Sequence, residues 1–325
     1  MYGNEMSSHV TRAMESETTL GWQPRSAPPR RPGRRRLRRR QILRAYAFIA
    51  PSTLIMGLFV LWPLVSSARL SLEKSSGFGP TTFVGLGNYR TVFGDSVFRG
   101  DLEHTIVYAL VVTPTTVALA LLFAVMLNRR MHGRSFFRAA LFLPAVLSLG
   151  VMSIAWSFLL DPTIGLLPHW LSPLGVSFGQ GQANPRIAFV YVSVVGIWKN
   201  LGFYMVMYLA GLGTIPQELY EASWVDGATP WRQFRSITWP LLANTSSFVF
   251  IMATIASVQA FDQIFTMTRG GPFFSTETLS YLIYRTGFQN FDFGYASAVG
   301  WVLTVLVFAI SMAQQVFFRR REVTY

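Results

Sequence analysis

Glu221-Ala222-Ser223-Trp224-Val225-Asp226-Gly227-Ala228-Thr229-Pro230-Trp231-Arg232-Gln233-Phe234-Arg235-Ser236-Ile237-Thr238-Trp239-Pro240 forms a polar island between two apolar runs, 187–211 and 243–266. Its punctuation predicts a hairpin of two short helices. Thr214 can N-cap the first, with Pro216 in the opening turn and Gln217 completing a capping box. Gly227 suits the position just past a helix end, where left-handed backbone costs nothing without a Cβ. Thr229-Pro230 then starts a second helix as cap and first residue, and Trp239-Pro240 closes it. Residues 214–240 are therefore expected to form a compact knob at the end of a membrane helix, carrying Glu221 and Asp226 on its first arm.

The remainder of the chain supports a membrane setting. Of 325 residues, 51% are hydrophobic and 13% charged, against about 25% charged in soluble domains. Six apolar runs approach or exceed the ~20 residues needed to cross a bilayer: 48–68, 105–127, 139–160, 187–211, 243–266 and 295–317. The expected fold is an all-α polytopic membrane protein, with a basic disordered tail over 1–44 and a six-helix domain over 45–325. With no cysteine, thiolate metal sites and disulfides are excluded. His9, His104, His132 and His169 lack metal-ligand spacing, so no metal site is expected.

Net charge is +13, almost all from arginine. The block Arg34–Arg40 could anchor a helix, signal export or bind nucleic acid. The following apolar run, Phe48 to Ala68, is longer than a signal-peptide core of ~7–15 residues. Arg69 and the further spans also favour an uncleaved anchor. Counting by loop from Arg30 onward, eighteen arginines fall on the side of the N-terminus, the hairpin and the C-terminus, and seven basic residues on the other. Positive charge marks the cytoplasmic side, so both termini and the hairpin are expected there. The arginines serve topology, and no nucleic-acid partner is expected.

Within this setting, Glu221-Ala222-Ser223, then Asp226-Gly227-Ala228, then Phe234, Ile237 and Pro240 resemble the EAA loop of ABC-importer permeases. Ser223 stands where that loop usually has a second alanine, and Trp239 where it has leucine. The resemblance implies that Glu221, Ala222, Asp226, Gly227 and Ala228 couple the chain to a cytoplasmic ATPase, in whose cleft the loop would sit. Three further strings are similar to runs in these permeases, the second to one in the carbohydrate-uptake group and the third to one in its first-permease type. These are Gly85-Leu86-Gly87-Asn88-Tyr89, Gly133 to Arg138 running into Phe142-Leu143-Pro144, and Thr266-Met267-Thr268-Arg269-Gly270-Gly271-Pro272. Gly165-Leu166-Leu167-Pro168 lacks the asparagine of a Gly-x-x-Asn element common there, so no role is carried onto it.

Polar groups inside a bilayer usually face a cavity or a partner. Candidates for a substrate path are Trp198, Asn200, Phe203 and Tyr204 in the fourth span and Ser257, Gln259 and Asp262 in the fifth, with Gln263 also in the fifth and Trp301 in the sixth. Asn200, Phe203 and Met207 share a helical face. The family resemblance independently implicates Trp198, Asn200 and Phe203. Aromatic faces with amide, carboxylate and hydroxyl groups suit a sugar. Lys199 in mid-span needs a partner: either an anionic substrate such as a sugar or polyol phosphate, or a structural carbonyl or carboxylate.

No Gly-x-x-x-x-Gly-Lys-Ser/Thr string exists to cradle ATP phosphates, and no catalytic residues are expected. The chain therefore reads as a transport subunit of a prokaryotic plasma membrane, not an enzyme. Its resemblance implies a second homologous permease, two ATPase subunits holding ATP and Mg, an extracytoplasmic binding protein and surrounding membrane lipid. Competing readings are a permease for another small solute, a membrane enzyme acting on lipid-linked sugars, and a passive channel or sensor.

Overall fold

The computed structural model describes residues 34–319 apart from 78, 130, 162 and 172–183. Residues 1–33 of the expected tail and much of the 161–186 loop lie outside the described residues. From Arg34 the chain is helical, ahead of the expected boundary at 44, so the arginine block is continuous with the first apolar run. Leu and Arg are good helix formers and no breaker separates the two stretches.

The chain divides into two units, residues 1–62 and 63–325. The first contributes α1 (Arg34–Met56) and a π turn, Gly57–Leu61. The second begins inside α2 (Trp62–Leu70), which is followed by a two-residue antiparallel ladder, β1 (Glu73–Lys74) against β2 (Thr82–Phe83), with Glu73 opposite Phe83. Then come α3 (Gly87–Gly94), α4 (Ser96–Asn128), α5 (Arg134–Val146), α6 (Leu149–Leu159) and α7 (Leu166–Leu171). The long α8 (Pro185–Gly213) precedes the hairpin helices α9 (Gln217–Val225), α10 (Pro230–Gln233) and α11 (Trp239–Leu241). Last are α12 (Ala243–Val258), α13 (Leu279–Tyr284) and α14 (Phe293–Arg319).

Among the described residues, four helical stretches are long and apolar enough to cross a membrane: Arg44–Leu70, Ser96–Asn128, Pro185–Gly213 and Phe293–Arg319. Two bent pairs bring the number to six if each pair is one span. The third expected span is one of them. It is not a helix merely kinked at Pro144, because α5 and α6 turn through 103°. The break falls at Leu147-Ser148, both extended, three residues beyond the proline. The fifth is bent by 70° between Pro230–Leu241 and α12, and α12 ends at Val258, short of the expected 266.

The core of the second unit is stacked along α4 in three tiers. Phe98 and Ala109 meet Leu279, Leu282, Tyr295 and Val299 at one end. Tyr108 and Val112 meet Val192, Val195 and Ile264 in the middle. Ala120, Ala124 and Leu127 meet Met205, Tyr208, Leu242 and Val249 at the other end. Small residues permit this close packing, as expected where helices associate without a hydrophobic gradient. At Gly202 a Cβ would collide with the backbone carbonyl of Leu141, so that glycine sets the approach of α8 to α5.

Polar side chains lock the tiers together. Gln263 Nε2 donates to the Tyr108 hydroxyl at 2.7 Å, and Thr113 Oγ1 donates to Ser257 Oγ at 3.1 Å. Arg138 Nη2 donates to the Leu127 carbonyl at 2.8 Å, so an arginine of α5 closes the last turn of α4. Asn88 Nδ2 donates to the carbonyls of Ser71 and Glu73 at 2.8 and 3.0 Å, and the Tyr89 hydroxyl to Ser71 Oγ at 2.9 Å. The Gly85–Tyr89 string is thus the clasp holding its loop to β1.

Candidate functional site

The hairpin forms, with one change at its entrance. Thr214 does not cap α9. Helix α8 runs to Gly213 and keeps Thr214 in helical backbone, where its hydroxyl donates to the Gly211 carbonyl at 2.8 Å. Helix α9 instead starts after Pro216 without a side-chain cap, and Gln217 Nε2 donates forward to Glu221 Oε1 at 2.8 Å.

The far end of α9 follows the expected chemistry. Gly227 has φ +71°. Its N–H donates to Trp224 O at 3.0 Å and the Ala228 N–H to Ser223 O at 2.9 Å, the paired closure of a Schellman motif. Thr229 Oγ1 then accepts from the Arg232 N–H, with Pro230 as first helical residue. Residues 234–238 form a single π turn leading into α11.

Two side-chain links join the arms. Gln233 Nε2 donates to Ser223 Oγ at 2.9 Å, and the hydroxyls of Tyr220 and Thr238 pair at 2.9 Å. Gln233 and Thr238 are buried. Ser223 is therefore more than a tolerated replacement for alanine, since its hydroxyl is the acceptor that pins the second arm. Trp231 stacks on Phe234, with ring centroids 5.6 Å apart.

The outer surface of this braced hairpin is apolar and open. Trp224 is 68% exposed, Val225 89% and Trp231 69%. Glu221, Ala222, Asp226 and Gly227 are exposed beside them, and Ala228 is half-buried. Neither carboxylate belongs to the ion pairs of the described residues, Arg69–Glu73 and Arg285–Glu277. A rigid backbone thus presents apolar surface flanked by two carboxylates open to a cationic partner.

The seven path candidates separate by burial. Phe203, Gln259 and Asp262 are exposed and Asn200 is half-buried, its amide donating to Gly196 O at 2.9 Å. Trp198 is half-buried, edge-on to Trp156 at 5.3 Å. Tyr204 and Ser257 are buried, the first in the tier at the hairpin end and the second against Thr113. Lys199 Nζ donates to the Ala145 carbonyl at 3.4 Å, in the last turn of α5 just before the 103° break. A cation at a helix C-terminus meets unsatisfied carbonyls and the negative end of the dipole.

At the opposite end lies the 266–285 loop. Arg269 and Gly270 have positive φ, and the Gly271–Pro272 bond is cis. The fully buried Glu277 accepts from Arg285 Nε at 2.7 Å. Burial pushes the Glu277 carboxyl above the usual range, with Arg285 pulling it back. Asp101 is also buried on α4 nearby. This buried charge group escapes sequence reading, because its members come from segments far apart in the chain. Among the described residues, no group of three or more His, Cys, Asp or Glu could hold a metal ion.

Comparison with known proteins places this architecture. The family described as binding-protein-dependent transport system inner membrane component matches residues 93–323. The sn-glycerol-3-phosphate transport system permease protein UgpA of Yersinia pestis is 31% identical over 278 residues, covering 85% of this chain and 94% of that protein. The probable ABC transporter permease protein PH1215 of Pyrococcus horikoshii is 31% identical over 266 residues, covering 81% and 91%. A crystal structure of a bacterial ABC transporter involved in import of the acidic polysaccharide alginate shares the fold. Its TM-score is 0.77 at 23% identity, over 88% of this chain and 98% of that one. The chain belongs to the family of inner-membrane components of binding-protein-dependent transport systems, the permease subunits of ABC importers.

Proposed function

We propose that this permease forms half of the translocation path for a carbohydrate or polyol, phosphorylated esters included. It would work with a second homologous permease, two ATPase subunits that hold ATP and Mg, and an extracytoplasmic binding protein. The carrying observation is the braced hairpin, with exposed Trp224, Val225 and Trp231 beside Glu221 and Asp226. An apolar centre rimmed by charge suits a protein–protein contact. The similarity to sn-glycerol-3-phosphate permeases supports the substrate class.

In this reading the hairpin and both termini face the cytoplasm. ATP-driven closure of the ATPase dimer draws the two permeases' hairpins together. Because Gly227, Ser223 and Thr229 hold the backbone rigid, that displacement passes to α8 and α12 instead of being absorbed in the loop. The helices tilt and the central cavity exchanges its inward opening for an outward one. Ala222 and Ala228 permit close packing in the ATPase cleft, and Glu221 and Asp226 supply its charged contacts. Asn200, Phe203, Gln259 and Asp262 are the groups proposed to meet substrate, with Trp198 at their edge. Tyr204 and Ser257, the other two path candidates, are buried.

The test is ATP hydrolysis by the complex purified with its native partners, with and without binding protein loaded with candidate sugars or glycerol phosphate. Stimulation by one loaded binding protein is expected and identifies the substrate. If an ATPase copurifies but only an amino-acid-loaded protein stimulates it, the carbohydrate reading is wrong. If no ATPase copurifies under mild extraction, the coupling role falls as well.

A further inference from the structure

Beside the hairpin lies an apolar groove of about 890 Å³. Its walls come from α4, α12, the end of α14 and the second hairpin arm, including Pro114, Leu121, Trp231, Trp239, Phe250 and Phe318. Arg129, at the end of α4, is the one charged residue among those lining it, and Tyr208 and Ser246 contribute hydroxyls. Arg129 is exposed and belongs to neither ion pair of the described residues. The same holds for Arg232 and Arg235 on the hairpin and for Arg319, which follows groove-lining Phe318.

We propose that this groove binds an anionic phospholipid, its acyl chains between α4 and α12 and its phosphate on Arg129. An apolar wall alone does not select a lipid, because acyl chains leaving the bilayer for the groove gain no hydrophobic free energy. Selection must come from the rim. The one charged residue lining the groove, Arg129, is positive, and basic pockets between membrane helices on the cytoplasmic side suit acidic head groups. Trp239 is 51% exposed, an amphipathic ring of the kind that settles at the head-group level. The placement at the cytoplasmic leaflet rests on the topology proposed above.

The consequence is regulatory. Trp231, Phe234 and Trp239 belong at once to the groove wall and to the hairpin's second arm. An occupied groove therefore braces the hairpin against α4 and α12, and an empty one leaves that arm unsupported on its membrane side. Coupled ATP hydrolysis is expected to rise with the anionic lipid content of the bilayer.

Native mass spectrometry of the whole complex, delipidated and titrated with phosphatidylglycerol or phosphatidylcholine, provides the test. The wild type should retain phosphatidylglycerol preferentially. Arg129→Gln should lower that preference about fivefold, the scale for one basic residue at an acidic lipid surface. Ala118→Trp, which fills the groove from an exposed position, should abolish retention of both. In nanodiscs, wild-type ATPase stimulation should increase with phosphatidylglycerol and that of the Arg129 variant should not. Equal retention of the two lipids by wild type, or an unchanged preference in Arg129→Gln, overturns the proposal. So does a photoreactive residue at position 118 that crosslinks to the second permease instead of to lipid. Lipid retention is read without transport, so failure here is distinct from failure of the importer reading.

Discussion

Valine at position 227 would place a β-branched side chain at φ +71°. A Cβ there meets no heavy atom within 4 Å, so the penalty is purely conformational and cannot be relieved by repacking neighbours. Left-handed backbone costs an L-residue roughly 1–2 kcal/mol, and asparagine tolerates it best. Valine belongs at or above the top of that range because β-branching makes positive φ an outlier. About 2 kcal/mol shifts the ratio of closed to open hairpin by up to roughly thirtyfold. The two closing bonds, Gly227 N–H to Trp224 O and Ala228 N–H to Ser223 O, are lost together when the turn opens. The rest of the fold should be indifferent, since the three tiers of the core lie outside this turn. The assay compares Gly227→Asn, Gly227→Ala and Gly227→Val in the reconstituted complex. Uptake and the ATPase stimulation caused by loaded binding protein are measured, with membrane insertion and helical content as controls. Activity should fall in the order Asn, Ala, Val, with all three inserted normally. Wild-type uptake and stimulation in the valine variant would refute the claim that a rigid turn transmits the stroke.

Further substitutions probe other elements. Lys199→Met should leave the KM for uptake unchanged and alter stability by less than about 1.5 kcal/mol, the range of one hydrogen bond, because Lys199 donates to Ala145 O. A severalfold rise in KM confined to phosphorylated substrates would instead make Lys199 a ligand. Gly202→Ala should destabilise the protein by about 1–3 kcal/mol, since the Leu141 carbonyl cannot yield as a side chain could. An unchanged melting temperature would show that α5 and α8 have room to part. Arg285→Met leaves Glu277 buried and unpaired, at a cost of about 3–5 kcal/mol. The Glu277 carboxyl is raised by burial, so the stability it carries is present at low pH and lost as pH rises through its folded value. Removing Arg285 takes away the influence pulling that value down. The variant's deficit against wild type should therefore be small at pH 5 and large at pH 8 in thermal melts. A deficit independent of pH would mean that Arg285 acts through its contact with Phe274 instead.

Features legible along the chain are local and chemical. Gly227 and Thr229-Pro230 restrict their own backbone, so the turn between α9 and α10 can be read before any partner residue is known. The family strings lie within the same reach, because each is a contiguous run of residues. Thr214 shows where this stops: a good cap by type, it is absorbed by α8, whose packing against α4 carries it further. Pro144 announces a disturbance but not a 103° break at Leu147-Ser148. Tyr204 and Phe203 are adjacent and both aromatic, yet one is buried in the core and the other exposed. Packing alone settles that, because in a membrane helix nearly every face is apolar and periodicity no longer marks the inward side. The pairing of Gln233 with Ser223, the burial of Glu277 beside Arg285 and the groove at Arg129 likewise depend on contacts between separate segments. Backbone chemistry acts within a few residues and can be read in order along the chain. Side-chain surroundings are set by whichever helix arrives alongside.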